Sequence, residues 1–193
     1  MVVEPLLVAE IEVEEVQRWR VSREDFYRIA DLGIFGNKRV EWLEGEIFMA
    51  PPPGGEHSTR MDDLTELLIL KARDQFVVRG QNGLICPRAE LAPDFALIRR
   101  EEYQRNETPR SAELVIEIAV SSLRYDRDDK SEHYAEAGVK HYWILDLARR
   151  RILVFEEPVI EESRYRVMRT LTAADSLTIP GTDVVLSGQA LLG

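Results

Sequence analysis

The run Leu114-Val115-Ile116-Glu117-Ile118-Ala119-Val120 is apolar at every position except Glu117. In an extended segment successive side chains point to opposite faces. Leu114, Ile116, Ile118 and Val120 therefore share one face, and Val115, Glu117 and Ala119 share the other. A strand with one wet face would carry polar residues where Val115 and Ala119 stand. The run predicts a strand in a mostly buried sheet, with a carboxylate set into it. A buried charge is costly alone, so Glu117 needs a cation, a hydrogen-bond partner or a raised pKa.

The run Leu91-Ala92-Pro93-Asp94-Phe95-Ala96-Leu97-Ile98 repeats the pattern. Asp94 falls in register with Ala96 and Ile98, while Phe95 and Leu97 face the other way. Each acid has a small alanine two residues on, which leaves room beside the carboxylate. Pro93 lacks an N–H and belongs at a strand start, an edge or a bulge. Downstream, Arg124-Tyr125-Asp126-Arg127-Asp128-Asp129-Lys130 brings a Lys to the start of an expected helix. Two carboxylates held side by side suit a hard divalent cation, and a nearby ammonium suits a phosphate.

Composition narrows the setting. A chain of 193 residues with 45% hydrophobic content can build one sizeable core. We expect an N-terminal arm over residues 1–20 and a single domain over 21–193. The single Cys86 excludes an intrachain disulfide and fits a reducing, cytoplasmic setting. No apolar run approaches the roughly 20 residues of a membrane span, and the N-terminus lacks the pattern of a signal peptide. The formal net charge of −10 argues against a protein that coats nucleic acid non-specifically. Local charge differs: Leu123 to Arg151 carries a slight excess of Lys and Arg, and Arg99, Arg100, Arg105 and Arg110 add basic groups near the acid pair. Three scattered His and one Cys offer no zinc-ligand spacing.

Pattern along the chain gives a coarse map. Ser22 caps a helix that runs to Gly33. Val40–Leu43 and Glu46–Ala50 form a hairpin about Glu44-Gly45. A Pro/Gly loop leads into a helix over 57–73, with Met61, Leu64 and Leu68 on one stripe. Strands follow at 75–79, 83–87, 91–98 and 114–120. A helix over 127–137 closes at Gly138. Strands at 141–147, 152–156 and 165–171 precede a turn-rich tail. The aromatics Trp42, Tyr134, Tyr142 and Trp143 read as core.

The order helix, strands, helix, strand is that of the αβββαβ core of the PD-(D/E)XK nuclease superfamily. The chain resembles more closely a bacterial family of restriction-endonuclease-like proteins, long catalogued as a domain of unknown function. The matching elements include Glu41-Trp42-Leu43-Glu44-Gly45-Glu46-Ile47, the Pro-rich loop into Glu56-His57, Pro93-Asp94 and Leu114 to Ile118. The run Arg124 to Lys130 matches too, with Tyr134 to Val139 and Tyr142 to Asp146 after it, so that the resemblance spans about residues 22–170.

The resemblance implies an α/β (α+β) fold: a mixed central sheet flanked by helices, with an accessory N-terminal helix and hairpin and C-terminal strands. It implies an Mg²⁺- or Mn²⁺-dependent endonuclease acting on nucleic acid, expected to be DNA. Asp94 and Glu117 would be the metal ligands and Lys130 the cation beside the attacking water or the developing charge. Glu56 and His57 would complete the set as an outer ligand and a phosphate or water contact. One departure stands out: the superfamily commonly has Lys two residues after the acid, where this chain has Ala119, so the Lys role passes to Lys130. The family's Ser-Pro-Ser after the acid strand is here Val120-Ser121-Ser122.

We further expect a homodimer formed through the hairpin at 40–50 and the strands at 152–155 and 165–171. Two other readings of the same residues stay open. The fold could serve as a non-catalytic nucleic-acid-binding or assembly module, or the acid pair could meet a cationic small molecule. Metal at the acid pair separates the first reading from both.

Overall fold

Where each expected element falls is given by a computed structural model that describes residues 18–193; most of the arm expected over 1–20 lies outside them. Helix α1, Arg23–Asp31, begins where the Ser22 side chain accepts from the Asp25 N–H. Strands β1 (Val40–Leu43) and β2 (Glu46–Met49) form the expected hairpin. Its two loop residues, Glu44 and Gly45, both take positive φ, which matches the twist of a tight hairpin. Helix α2, Gly55–Ala72, follows the Pro/Gly loop. Next come β3 (Phe76–Gly80), β4 (Leu84–Cys86), β5 (Ala89–Leu91), β6 (Phe95–Arg99) and β7 (Leu114–Ala119).

A π-helical turn, Tyr125–Lys130, runs into α3, Ser131–Glu136, and then β8 (His141–Asp146), β9 (Arg151–Val159) and β10 (Arg164–Thr172) follow. A small pair, β11 (Ser176–Thr178) and β12 (Val185–Ser187), and α4 (Gly188–Leu192) end the chain. No helix among the described residues is long and apolar enough to cross a membrane.

The main sheet has six strands in the order β10-β9-β8-β7-β6-β3. It is mixed, because β7 and β8 pair in parallel around α3 while every other pairing is antiparallel. α2-β3-β6-β7-α3-β8 thus reproduces the expected αβββαβ order, with β4 and β5 diverted to a second sheet, β2-β1-β5-β4.

Both faces of β7 are covered, as its alternation predicts. Leu114, Ile116 and Ile118 pack with Leu64 and Leu68 of α2 and with Leu191 and Leu192 of α4. Val115 and Ala119 pack with Tyr134 of α3, Tyr142 of β8 and Leu43, Leu84 and Leu91 of the small sheet. Each fully buried Leu or Ile supplies roughly 1.5–3 kcal/mol relative to exposure. This two-sided cover sets Glu117, on the Val115/Ala119 face, between the main sheet and a lid made of α3 and the small sheet.

Four expectations need correction. The run 91–98 is not one strand: it breaks at Pro93, sending β5 to the small sheet and β6 to the main one. Asp94 therefore precedes β6, on the crossover between the sheets. The helix expected from Arg127 is already under way at Leu123 and contains the π turn. The strand at 152–155 is not accessory, because β9 lies between β8 and β10 with Ile152, Leu153 and Val154 buried. The tail, read as turns, holds β11, β12 and α4, whose buried Leu177, Leu186, Leu191 and Leu192 close the α2 side of the core.

Candidate active site

Register brings the two acids together. β6 and β7 are antiparallel with Phe95 opposite Ile116, so the residue before β6 lies beside Glu117. Main-chain amides complete the link. The Asp94 N–H donates to Glu117 Oε2 at 3.3 Å, and the Ile118 N–H donates to Asp94 Oδ2 at 2.9 Å. Both carboxylates are almost wholly buried, at 3% and 2% exposure.

Lys130 meets Glu117 from the π turn. Its Nζ lies 3.0 Å from Glu117 Oε1, 3.0 Å from Glu41 Oε1 and 3.8 Å from Asp126 Oδ1. Three exposed residues, Arg127, Asp128 and Asp129, separate buried Asp126 from buried Lys130. Four residues apart, the acid and the base share one inward face; π turns of this kind are uncommon and concentrate at functional sites. Three tyrosines fix the surroundings. Tyr134 donates to Glu117 Oε1 at 2.7 Å, Tyr125 to Glu41 Oε2 at 3.0 Å, and Tyr142 to the Asp126 carbonyl at 2.9 Å.

From the other side, His57 Nε2 is 3.0 Å from Asp94 Oδ2 and an Arg39 guanidinium nitrogen is 3.1 Å from Oδ1. An ionised carboxylate only accepts, so Nε2 is the donor. His57 Nδ1 and Arg39 Nε are buried with no partner among the described residues.

Of the expected residues, Asp94, Glu117, Lys130 and His57 are therefore brought together and Glu56 is not. Glu56 lies exposed in the first turn of α2, where a negative charge suits the helix end. Arg99 and Arg100, expected near the acids, sit at the far end of β6. There Arg99 pairs with Glu113, and Arg100 bonds the Arg73 and Phe76 carbonyls.

Sequence reasoning missed Glu41, Asp126 and Arg39 as members. Glu41 had a usable signal, since Val40-Glu41-Trp42-Leu43 is an apolar strand holding one acid, the same pattern that singled out Glu117. Arg39, at the end of a loop, had none.

The charges do not balance. Four buried carboxylates, Glu41, Asp94, Glu117 and Asp126, face two permanent cations, Lys130 and Arg39. Burial acts on Asp94, Glu117 and Asp126 alike, but the partners differ. Burial raises the Asp94 carboxyl, yet the His57 hydrogen bond, the Arg39 charge and the Ile118 amide outweigh it and hold Asp94 well below the usual carboxylate range. Glu117 goes the opposite way. Burial pushes it up to about 8 despite Lys130, and the charges of Asp94, Asp126 and Glu41 push in the same direction. Burial raises Asp126 too. Burial would lower Lys130, but Glu117, Glu41 and Asp126 hold its pKa well above the ordinary lysine value. One ammonium shared among three acids is thus held charged, while two of those acids, Glu117 and Asp126, are both raised.

This donor set fits a hard divalent cation. Among the described residues no group of three or more His, Cys, Asp or Glu side chains could cage a metal. Magnesium does not need a cage, since it keeps several waters and takes one or two carboxylates plus substrate oxygens. Asp94 and Glu117 supply such a pair, and with all four carboxylates ionised their excess over Lys130 and Arg39 would equal the charge of one such ion.

Comparison with known proteins bears on the fold and the family. No curated protein matches the chain. Among solved structures, a crystal structure of a "putative nuclease belonging to DUF820" from Anabaena variabilis is similar in fold. Its TM-score is 0.65 at 16% sequence identity, over 79% of this chain and 89% of that one. The Uma2 family, described as "Putative restriction endonuclease", matches residues 23–187, a span that takes in Arg39, Glu41, His57, Asp94, Glu117 and Lys130. By that match the chain belongs to the Uma2 family, on a fold of the PD-(D/E)XK type.

Proposed function

We propose that this protein is an endonuclease that hydrolyses phosphodiester bonds of nucleic acid, DNA in the first instance, with Mg²⁺ or Mn²⁺ held by Asp94 and Glu117. The observation that carries the reading is the convergence of four buried carboxylates on two cations beside the Asp94–Glu117 pair. A divalent ion bound there polarises a phosphate and lowers the pKa of bound water.

The chain's own groups do the rest. Lys130, held by Glu117 and Glu41, keeps a fixed positive charge where negative charge develops on phosphorus. Glu41, whose oxygens are bonded by Lys130, Tyr125 and the Ala92 amide, holds that ammonium in place. His57 Nδ1, without a partner among the described residues, would be the ring atom to meet a water or a phosphate oxygen. The acidic total favours a narrow, structured target over long duplex tracts.

A second reading is favoured by one observation. Both Asp94 oxygens are already bonded, to Arg39, His57 and the Ile118 amide, which is what a purely structural acid looks like. On that reading the chain is a non-catalytic nucleic-acid-binding or assembly module. Incubation of labelled DNA and RNA with Mg²⁺, Mn²⁺ or EDTA decides between them. Metal-dependent cleavage that is lost in Asp94→Asn and Glu117→Gln supports the nuclease. Binding without cleavage under any metal supports the module.

We propose further that the protein acts in the cytoplasm as a homodimer. The edge strand β10, largely exposed along its length with Met168 outward, and the β1–β2 hairpin are the pairing surfaces. Light scattering at micromolar concentration should give twice the chain mass, and a monomer removes the claim.

A further inference from the structure

Arg39 stands immediately before β1, where its carbonyl accepts from the Ala50 N–H at 3.0 Å. Its backbone is thus fixed at the open end of the hairpin. The side chain has two partners. One guanidinium nitrogen reaches Asp94 Oδ1 at 3.1 Å, another bonds the Ala92 carbonyl, and Nε has no partner among the described residues. The Arg39 side chain is 29% exposed and that of Asp94 only 4%, so the guanidinium is the solvent-facing member of the pair. Asp94 would keep His57 and the Ile118 amide if Arg39 turned away. A guanidinium fork fits phosphate oxygens as well as it fits a carboxylate.

We infer that Arg39 is a built-in substitute for the divalent cation, pairing with Asp94 in the metal-free protein and turning to the substrate phosphate once the metal is bound. This rests on the proposal that Asp94 and Glu117 hold the metal. It makes two demands that a merely structural arginine would not meet. Removing the guanidinium should tighten metal binding, because a competitor for Asp94 is gone. The same change should weaken binding to a phosphodiester chain.

The test uses the whole chain. Calorimetry with Mn²⁺ alone is run on the wild type, Arg39→Met, Arg39→Lys and Asp94→Asn. Oligonucleotide affinity is then read by anisotropy over a salt series, with Ca²⁺ present to suppress cleavage. Arg39→Met should bind Mn²⁺ about tenfold more tightly, the worth of one charge-assisted bond. It should also bind the oligonucleotide about tenfold less tightly, with the salt slope reduced by about one. Arg39→Lys should restore the wild-type Mn²⁺ affinity but not the oligonucleotide affinity, because a point charge replaces the fork. Should Arg39→Met fail to fold, the Lys variant still decides, and wild-type oligonucleotide affinity in it overturns the phosphate role.

If the wild type binds Mn²⁺ and Arg39→Met binds it equally or more weakly, the inference is overturned and the metal site stands. If wild type and Arg39→Met both fail to bind Mn²⁺, or Asp94→Asn binds it unchanged, the metal site itself is overturned, and the inference with it.

Discussion

Replacing Glu117 by Gln removes one charge from the buried web while keeping the shape of the side chain. In the folded protein burial pushes the Glu117 carboxyl from an ordinary 4.5 up to about 8. Between those values the native state holds a proton that the unfolded chain has released. The stability linked to it is fully present below about pH 4.5 and is lost as the pH rises through about 8. One proton gives a slope of at most about 1.4 kcal/mol per pH unit, so the loss from pH 5 to 8 reaches about 4 kcal/mol at most.

The Glu117→Gln variant has no such slope. Its side-chain oxygen still accepts from Lys130 and Tyr134, but its amide can turn a donor toward the Asp94 N–H, which costs about 1–2 kcal/mol. The two stability curves should therefore cross, with the wild type more stable at pH 5 and the variant more stable at pH 8. Urea unfolding in chelator at four pH values measures this directly, and the difference between the proteins cancels the titrating groups remote from Glu117. With Mn²⁺ added, the wild type should recover stability at pH 8 and the variant should not. A pH-independent difference, or a wild-type advantage that grows with pH, would refute the charge-surplus argument.

Asp94→Asn should behave oppositely to Glu117→Gln. Asp94 is held ionised by His57, Arg39 and the Ile118 amide, so its loss should destabilise the metal-free protein by about 1–3 kcal/mol at pH 7 in urea melts. That penalty should persist down to strongly acidic pH, since this acid supplies stability above its unfolded pKa and loses it only as the pH falls through its depressed folded value. Lys130→Met strands three buried carboxylates and should cost about 3–5 kcal/mol, with partial rescue in the double variant carrying Glu117→Gln. Leu64→Ala, in the fully buried contact of α2 with the sheet, should cost about 2–5 kcal/mol without changing Mn²⁺ affinity, which separates core from site.

The alternation at 114–120 made the site legible, because a strand apolar on both faces leaves a lone Glu few places to be. The same logic located Asp94 on the correct side, even though its strand breaks at Pro93. Lys130 was harder. In sequence it stands among the charged residues Asp128, Asp129 and Glu132, as a solvent-facing helix Lys would, and only the resemblance favoured an inward position. Glu56 shows the reverse error, since adjacency to His57 in sequence does not survive the turn of a helix that sends one inward and the other to solvent. Arg39 and Asp126 depend on where a loop and a π turn come to rest. Such placements follow from tertiary packing rather than from periodicity, so no local pattern announces them.

The π turn is the one part of the charge web that the core does not hold. Arg127, Asp128 and Asp129, at its outer side, are all exposed. Deleting any one of them, a change of a single codon, would let the segment close as an ordinary α-helix. Lys130 would stay with α3, and so with Tyr134 and Glu117. Asp126 would then stand three residues before it instead of four, a spacing that still shares one helix face. Such a deletion would test the Tyr125 contact to Glu41 while leaving both packed faces of the sheet in place.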